Sequence, residues 1–221
     1  MLEMMSKKIN LLFHLFLTFI TFSCGTSSES LPYYNSPDFT PIWLSTMDSV
    51  KQQITHSVKP FSFYNQDGNI INNSTVKGKI HVANFFFTSC PSICPKMTLE
   101  FQTIQAAFVN DPNVLLLSYS VTPWLDSIAR LKEYAQNNAV ISNKWHLLTG
   151  EKSAIYTLAR QSYFAEEGTG FTKDSTEFLH TEHFILVDQN GRLRGIYNGT
   201  LALETERLIA DIKLLRASEF N

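Results

Sequence analysis

The sequence is poor in cysteine and has no excess of positive charge. Its 221 residues include only three cysteines, and the formal net charge at pH 7 is -2. Nucleic-acid-binding domains usually carry a clear excess of lysine and arginine. Nucleic acid is therefore not an expected partner.

The N-terminal apolar run is too short to cross a bilayer. Leu11–Phe22 has twelve residues, where a membrane span needs about 20. The run follows Lys7 and Lys8, and Cys24 stands two residues after it, between a serine and a glycine. Residues 1–24 therefore resemble a bacterial lipoprotein signal with Cys24 as the lipidated residue. Ordinary signal-peptide cleavage and an uncleaved short anchor are the alternatives, and all three place the domain outside the cytoplasm.

The mature domain then keeps one cysteine pair, at the point where an apolar strand runs into a helix. The segment from Ile80 to Phe87 is almost continuously apolar, as in a strand buried on both faces. Helical spacing of apolar residues begins at Met97, and Pro95 fits the first helical position. We therefore expect Cys90 in the loop and Cys94 at or just before the helix N-terminus.

This position has consequences for both sulfur atoms. Unpaired backbone N–H groups and the positive end of the helix dipole favour a thiolate, so both cysteines are expected to be more reactive than a free cysteine. A spacing of four residues brings the side chains close enough to share a ligand or to form a Cys90–Cys94 disulfide. A purely structural disulfide is the alternative, although structural bridges usually join segments farther apart in the chain.

The remaining elements alternate between strands and helices. The predicted order is β, α, β, α, β, α, β, β, α, after an N-terminal hairpin, with later helices at about residues 126–137, 154–163 and 203–215. Alternation implies parallel strands, and the C-terminal hairpin adds antiparallel ones. The sequence predicts a thioredoxin-like α/β fold: a central mixed sheet flanked by helices, with an N-terminal hairpin extension. Residues 25–50 are interpreted as a tether and extended lead-in, and 51–221 as the domain.

The positions of two histidines and the lack of proline late in the chain limit the possible reactions of the cysteine pair. His180 and His183 precede the C-terminal hairpin, at the sheet end where the chain can approach the cysteines. The other histidines of the domain are expected to be structural: His56, His81 and His146. No proline follows Pro123, whereas thioredoxins hold a cis-proline in that region. This absence counts against a standard thiol-disulfide oxidoreductase.

Two segments together resemble the Sco/SenC family. They are FTSCPSICP, residues 87–95, and LHT, residues 179–181, ahead of the turn at Asn190 and Gly191. The resemblance covers about residues 55–215. It implies a membrane-anchored lipoprotein on the periplasmic side of the cell envelope that binds one copper ion. Its expected function is assembly of the binuclear copper centre of cytochrome c oxidase, as a metallochaperone rather than an enzyme.

The resemblance also implies the metal ligands. The two motif cysteines and the histidine before the hairpin of that family correspond to Cys90, Cys94 and His180. His180 is preferred over His183 by its distance to the hairpin turn and by the threonine that follows it. Two thiolates and an imidazole suit Cu(I), whereas structural zinc normally takes four protein ligands. Expected partners are the copper-binding subunit of cytochrome c oxidase, the membrane through the lipid anchor, and a thiol reductant or another copper chaperone.

Three alternatives use the same residues. Both histidines together with the cysteines would make a zinc site. A thiol-disulfide oxidoreductase that keeps the copper-site cysteines of a partner reduced would use Cys90 as the attacking thiolate and Cys94 as the resolving partner. It would not need His180. A peroxidase of the same fold is the third alternative, but this sequence does not supply the arginine or glutamine expected beside a peroxidatic cysteine.

Asp126 resembles a family acidic residue that supports the site, but a solvated carboxylate at a helix start is the simpler interpretation.

Overall fold

One seven-stranded mixed sheet forms the centre of the part of the chain that the computed structural model describes, residues 30–165 and 181–218. The strand order is β2-β1-β5-β4-β3-β6-β7. The strands are β1 (Ser62–Asn65), β2 (Ile70–Asn72), β3 (Ile80–Phe86), β4 (Val114–Ser120), β5 (Trp145–Thr149), β6 (His183–Val187) and β7 (Leu193–Asn198). The helices are α1 (Met47–Gln53), α2 (Asn73–Val76), α3 (Ile93–Ala107), α4 (Ile128–Asn137), α5 (Lys152–Ser162) and α6 (Ala202–Ser218).

Strand direction brings the chemically interesting loops to one edge of the sheet. The strands β3, β4 and β5 are parallel, while β6 is antiparallel to β3 and β7 to β6. The carboxyl ends of β3 and β4 therefore lie at the same edge as the start of β6. Phe86 is in register with Ser120, and Ala83 with Ile185, which places His183 at that edge.

The central strand β3 is buried on both faces, as its continuous apolar sequence predicts. Ile80 and Val82 belong to the core under α3, α4 and α6, whereas Ala83 and Phe85 belong to the core under α5. Alternate side chains of one strand point to opposite faces, so a strand covered by helices on both sides must be apolar throughout. Complete burial of the Phe101 ring of α3 contributes about 2–3 kcal/mol.

The thioredoxin-like α/β fold is confirmed, and the differences lie at helix starts. The cysteine helix begins at Ile93 rather than at Pro95, so Cys94 lies inside its first turn. The helix expected from Asp126 begins at Ile128, because the Ser127 side chain caps it by accepting a hydrogen bond from a backbone N–H. The short helices α1 and α2 were not expected, since seven and four residues carry too little apolar periodicity to detect.

The lead-in segment ahead of α1 packs on the domain. Tyr34 pairs with Leu193 of β7, and Tyr33 pairs with Ile42 within the segment. Among the described residues, no helix is both long and apolar enough to cross a bilayer. The interpretation of residues 1–24 as a signal, with Cys24 lipidated, concerns residues outside the described ranges.

Candidate metal centre

The two cysteines lie side by side at the carboxyl end of β3. A short turn follows the strand, in which the Cys90 N–H donates to the Phe87 carbonyl at 3.2 Å. The chain then enters α3, and the Cys94 backbone N–H points at the Cys90 Sγ at 3.5 Å. The proximity expected from the four-residue spacing is present. Both thiols are free in this structure, so a Cys90–Cys94 disulfide as the oxidised form of the pair stays a prediction.

A largely apolar pocket of about 240 Å³ contains both cysteines. Its wall includes the aromatic end of β3, residues 85–87, together with Val121 after β4 and Thr181 before β6. His180, the expected third ligand, lies outside the described residues. Among those described, no three side chains of the histidine, cysteine, aspartate and glutamate types are grouped closely enough to hold a metal ion.

His183 opens β6 at the same edge of the sheet. It is half-buried and in register with Asn198 of β7. Its backbone N–H donates to the Thr181 Oγ1 at 3.1 Å, which fixes the chain just before the strand. Thr181 thus joins the pocket wall to β6.

The two thiols differ in acidity. Burial raises the pKa of Cys90, but hydrogen bonds from the Cys94 thiol and from the backbone N–H groups of residues 92–94 outweigh burial and lower it overall. Burial and the hydrogen bond shared with Cys90 raise the pKa of Cys94 to about 12. The expectation that both sulfurs are activated is therefore wrong for Cys94, because the first turn of α3 carries that side chain into the core.

Asp126 is a buried support of the cysteine loop. The residue is fully buried, so its interpretation as a solvated carboxylate at a helix start is wrong. Its carboxylate accepts hydrogen bonds from the Thr88 hydroxyl at 2.6 Å and N–H at 3.2 Å, from Ser120 at 2.6 Å and from Thr122 at 3.0 Å. The Arg130 Nε lies 3.6 Å away. The carboxylate thereby ties the loop that leads to the cysteines to the end of β4.

Sequence reasoning did not find this network. Its members come from three elements, and no spacing rule links Thr88 to Asp126 across 38 positions. The only available signal was the loose family likeness of Asp126. Whether that carboxylate faces solvent or the cysteine loop depends on the register between β3 and β4, which cannot be read from the sequence.

The other histidines of the domain have structural partners, as expected. His81 Nε2 lies 3.1 Å from the Tyr163 hydroxyl, and His146 Nδ1 lies 3.3 Å from the Asn65 amide. His56 Nε2 lies 2.9 Å from the backbone carbonyl of residue 162. All three histidines make structural hydrogen bonds, and none of them lines the cysteine pocket.

Comparison with known proteins decides the family. A sequence profile described as SCO1/SenC matches residues 49–216, more than half of the chain. The chain belongs to the SCO1/SenC family. The Sco family comprises cytochrome c oxidase assembly proteins, and the family assignment made from the two sequence motifs is confirmed.

Individual Sco relatives cover nearly the whole described domain. The SCO1 protein homolog of Bacillus subtilis is 32% identical over 166 residues, which are 74% of this chain and 85% of that protein. The SCO1/SenC family lipoprotein of Bacillus anthracis has a TM-score of 0.64 at 30% identity, over 74% of this chain and 96% of the other. Copper-bound ScoI of Bradyrhizobium japonicum has a TM-score of 0.57 at 26% identity, over 72% and 98%.

Proposed function

We propose that this Sco protein is a copper metallochaperone that binds one copper ion through Cys90, Cys94 and His180. The recipient is the binuclear copper centre of cytochrome c oxidase. The observation that carries the proposal is the pocket, which contains both cysteines and has Thr181 in its wall. His180 directly precedes Thr181 in the sequence, which supports its choice as the third ligand. Copper in the related ScoI supports the choice of metal.

The three proposed ligands suit a soft metal ion that is bound and later transferred to another protein. Two thiolates and one imidazole suit Cu(I) in trigonal coordination, and a three-ligand site can accept a further thiolate from a recipient during ligand exchange. The thiolates must be reduced to bind, so copper loading and a Cys90–Cys94 disulfide exclude each other.

The test is metal binding by His180→Ala beside His183→Ala. We expect the reduced wild-type chain to bind about one copper per chain, and His180→Ala to lose at least about tenfold in affinity, since one of three ligands is gone. Competition with a chromophoric Cu(I) chelator measures the affinity, and circular dichroism checks the fold. Spectra of the Cu(II) form report thiolate-to-copper charge transfer.

His183→Ala is the matched control, because this residue lies three positions later at the same edge of the sheet. It should keep near wild-type affinity. Full copper affinity in His180→Ala would remove that histidine from the site. A large loss in His183→Ala instead would move the third ligand to His183.

The burial difference between the two cysteines favours a second function, a thiol-disulfide reductase. Cys90 is partly exposed and Cys94 is buried behind it. The Cys90 thiolate would attack a partner disulfide, form a mixed disulfide and release one partner thiolate. Cys94 would then lose its proton and attack Cys90 Sγ, which releases the second thiolate and leaves a Cys90–Cys94 disulfide. Disulfide exchange that survives in His180→Ala, where copper affinity is lost, would favour this function.

We also propose that residues 1–24 act as a lipoprotein signal with Cys24 as the anchor, on the periplasmic side of the cell envelope. A lipoprotein from Bacillus anthracis at 30% identity supports the anchor. The apolar run and the small residues beside Cys24 are the features of this chain that favour it.

A further inference from the structure

Exposed apolar side chains crowd one short segment beside the cysteine pocket. Trp124, Leu125 and Ile128 are 56%, 50% and 37% exposed. They lie on the loop that leaves β4 and on the first residue of α4, and we call these three residues the 124–128 patch. A tryptophan ring left in water gives up a large part of the free energy that its burial would contribute.

The same segment buries its polar side chains. Thr122 is 4% exposed and Asp126 is fully buried, while their apolar neighbours face solvent. Loops usually show the reverse pattern. The polar side chains turn inward because they hold the cysteine loop, but this alone does not require apolar residues on the outer side. Apolar residues exposed against the usual pattern mark interaction surfaces.

The patch is continuous with the rim of the cysteine pocket. Val121, at the start of the segment, lines the pocket, and its N–H donates to the Phe86 carbonyl at 2.8 Å. At the other end, the Asp126 carboxylate accepts from the Thr88 hydroxyl at 2.6 Å, two residues before Cys90. Both ends of the segment are thus hydrogen-bonded to the end of β3 and the loop that leads to Cys90.

Two cations border the patch. The Lys152 Nζ lies 5.0 Å from the centre of the Trp124 ring. The Arg130 Nε donates to the Thr88 hydroxyl at 2.6 Å, while 44% of its side chain is exposed. The nearby Glu151 directs its carboxylate to the backbone N–H of Ala154 at the start of α5. The charge of Arg130 is paired with the buried Asp126 carboxylate at 3.6 Å, so Lys152 supplies the positive charge at the border of the apolar patch. This charge fits an acidic border on a partner.

We propose that the 124–128 patch is the docking surface for the protein that receives copper from this chain. The partner is a domain that presents thiolate copper ligands on an apolar surface bordered by acidic side chains. The inference rests on the proposed function, because a receiving thiolate must reach the ion held at Cys90 and Cys94 and its surface must then cover the pocket rim. Trp124 is the expected anchor, since tryptophan dominates the energetics of many interfaces.

The test measures copper transfer to two acceptors. The full chain, loaded with Cu(I), is mixed with the reduced, metal-free copper-binding domain of the oxidase subunit or with the small chelator bathocuproine disulfonate. For the double variant Trp124→Ser, Leu125→Ser, transfer to the protein should slow at least about tenfold. Transfer to the chelator and copper affinity should stay within about twofold of wild type, because the chelator needs no docking surface.

Trp43→Ser is the matched control. Trp43 is 63% exposed and lies on the lead-in segment, which pairs with the start of β7 at the opposite edge of the sheet. It should transfer copper at the wild-type rate. Equal rates in the double variant and wild type would overturn the docking proposal while leaving copper binding intact. Failure of the wild-type chain to bind copper would instead overturn the proposed function.

Salt tests the charged border independently. Raising NaCl from about 0.05 to about 0.5 M should slow transfer from wild type to the protein acceptor, and Lys152→Gln should reduce that dependence. A faster wild-type transfer at high salt would contradict an acidic partner border. If the double variant changed only self-association of the chain, the patch would belong to a contact between copies and the proposal would be wrong.

Discussion

The buried histidines show how strongly single residues depend on their surroundings. Burial lowers the pKa of His81 to about 3 and that of His146 to about 4. Both imidazoles are therefore neutral in the fold at neutral pH. Their place in the strands β3 and β5 follows from the sequence, but their pKa values depend on what covers those strands.

His81 should make stability depend on pH in a defined direction. Below about pH 6.5 the unfolded chain protonates this imidazole while the folded chain does not, so the stability present above that pH falls as pH drops toward the folded pKa. Each such histidine contributes a slope of about 1.4 kcal/mol per pH unit. His81→Gln should lower the slope between about pH 6 and 5 by that amount, measured by urea unfolding of the reduced, copper-free chain.

Tyr163→Phe is the control, since it removes the hydrogen bond to His81 without removing the titrating group. It should lower stability at every pH and keep the wild-type slope. An unchanged slope in His81→Gln would show that this imidazole is already protonated in the folded chain.

At the scale of elements, three segments of the chain pack around Asp126 and support the loop that carries Cys90. The loop after β3 and the end of β4 donate hydrogen bonds to its carboxylate, and Arg130 in the first turn of α4 forms an ion pair with it at 3.6 Å. The sequence predicted each of these elements, because apolar runs and breaks are local. It did not predict their junction, since the donors become neighbours only after β3 and β4 pair in register.

Asp126→Ala should destabilise the fold by about 3–5 kcal/mol, because the Thr88, Ser120 and Thr122 hydroxyls lose their shared acceptor and an arginine loses its ion-pair partner. Urea unfolding measures the loss, and hydrogen exchange at the Thr88 N–H reports loosening of the cysteine loop. Asp48→Ala is the matched control: this carboxylate is exposed and pairs with Lys51 at 3.9 Å. It should change stability by less than about 0.5 kcal/mol. Similar losses in both variants would contradict the supporting role of Asp126.

At the scale of the whole molecule, one arginine fastens the lead-in segment to the domain. Arg194 of β7 donates to the Pro32 carbonyl at 2.9 Å and to the Leu31 carbonyl at 2.6 Å. Its guanidinium also lies 3.8 Å from the centre of the Tyr33 ring and 3.5 Å from Asp188. The segment between the proposed anchor and the domain is therefore partly held on the sheet.

Arg194→Ala should release this segment and cost about 2–4 kcal/mol, since the Pro32 and Leu31 carbonyls lose their donor and Asp188 loses its ion-pair partner. Hydrogen exchange at the Tyr34 N–H, which donates to the Leu193 carbonyl at 3.2 Å, should accelerate. Arg207→Ala, which removes an exposed ion pair with Glu204, should leave that exchange unchanged. Slow Tyr34 exchange in Arg194→Ala would show that the segment is held by its apolar contacts alone.

The sequence by itself determined the alternating elements, the strand that runs into the cysteines and the closeness of Cys90 to Cys94, because apolar period, turn residues and four-residue spacing are local properties. Tertiary structure alone decided that the two thiols differ in pKa, that Asp126 faces the cysteine loop, and that Arg194 reaches Leu31 across 163 positions. Burial and desolvation arise from segments distant in the chain, and no local pattern specifies them.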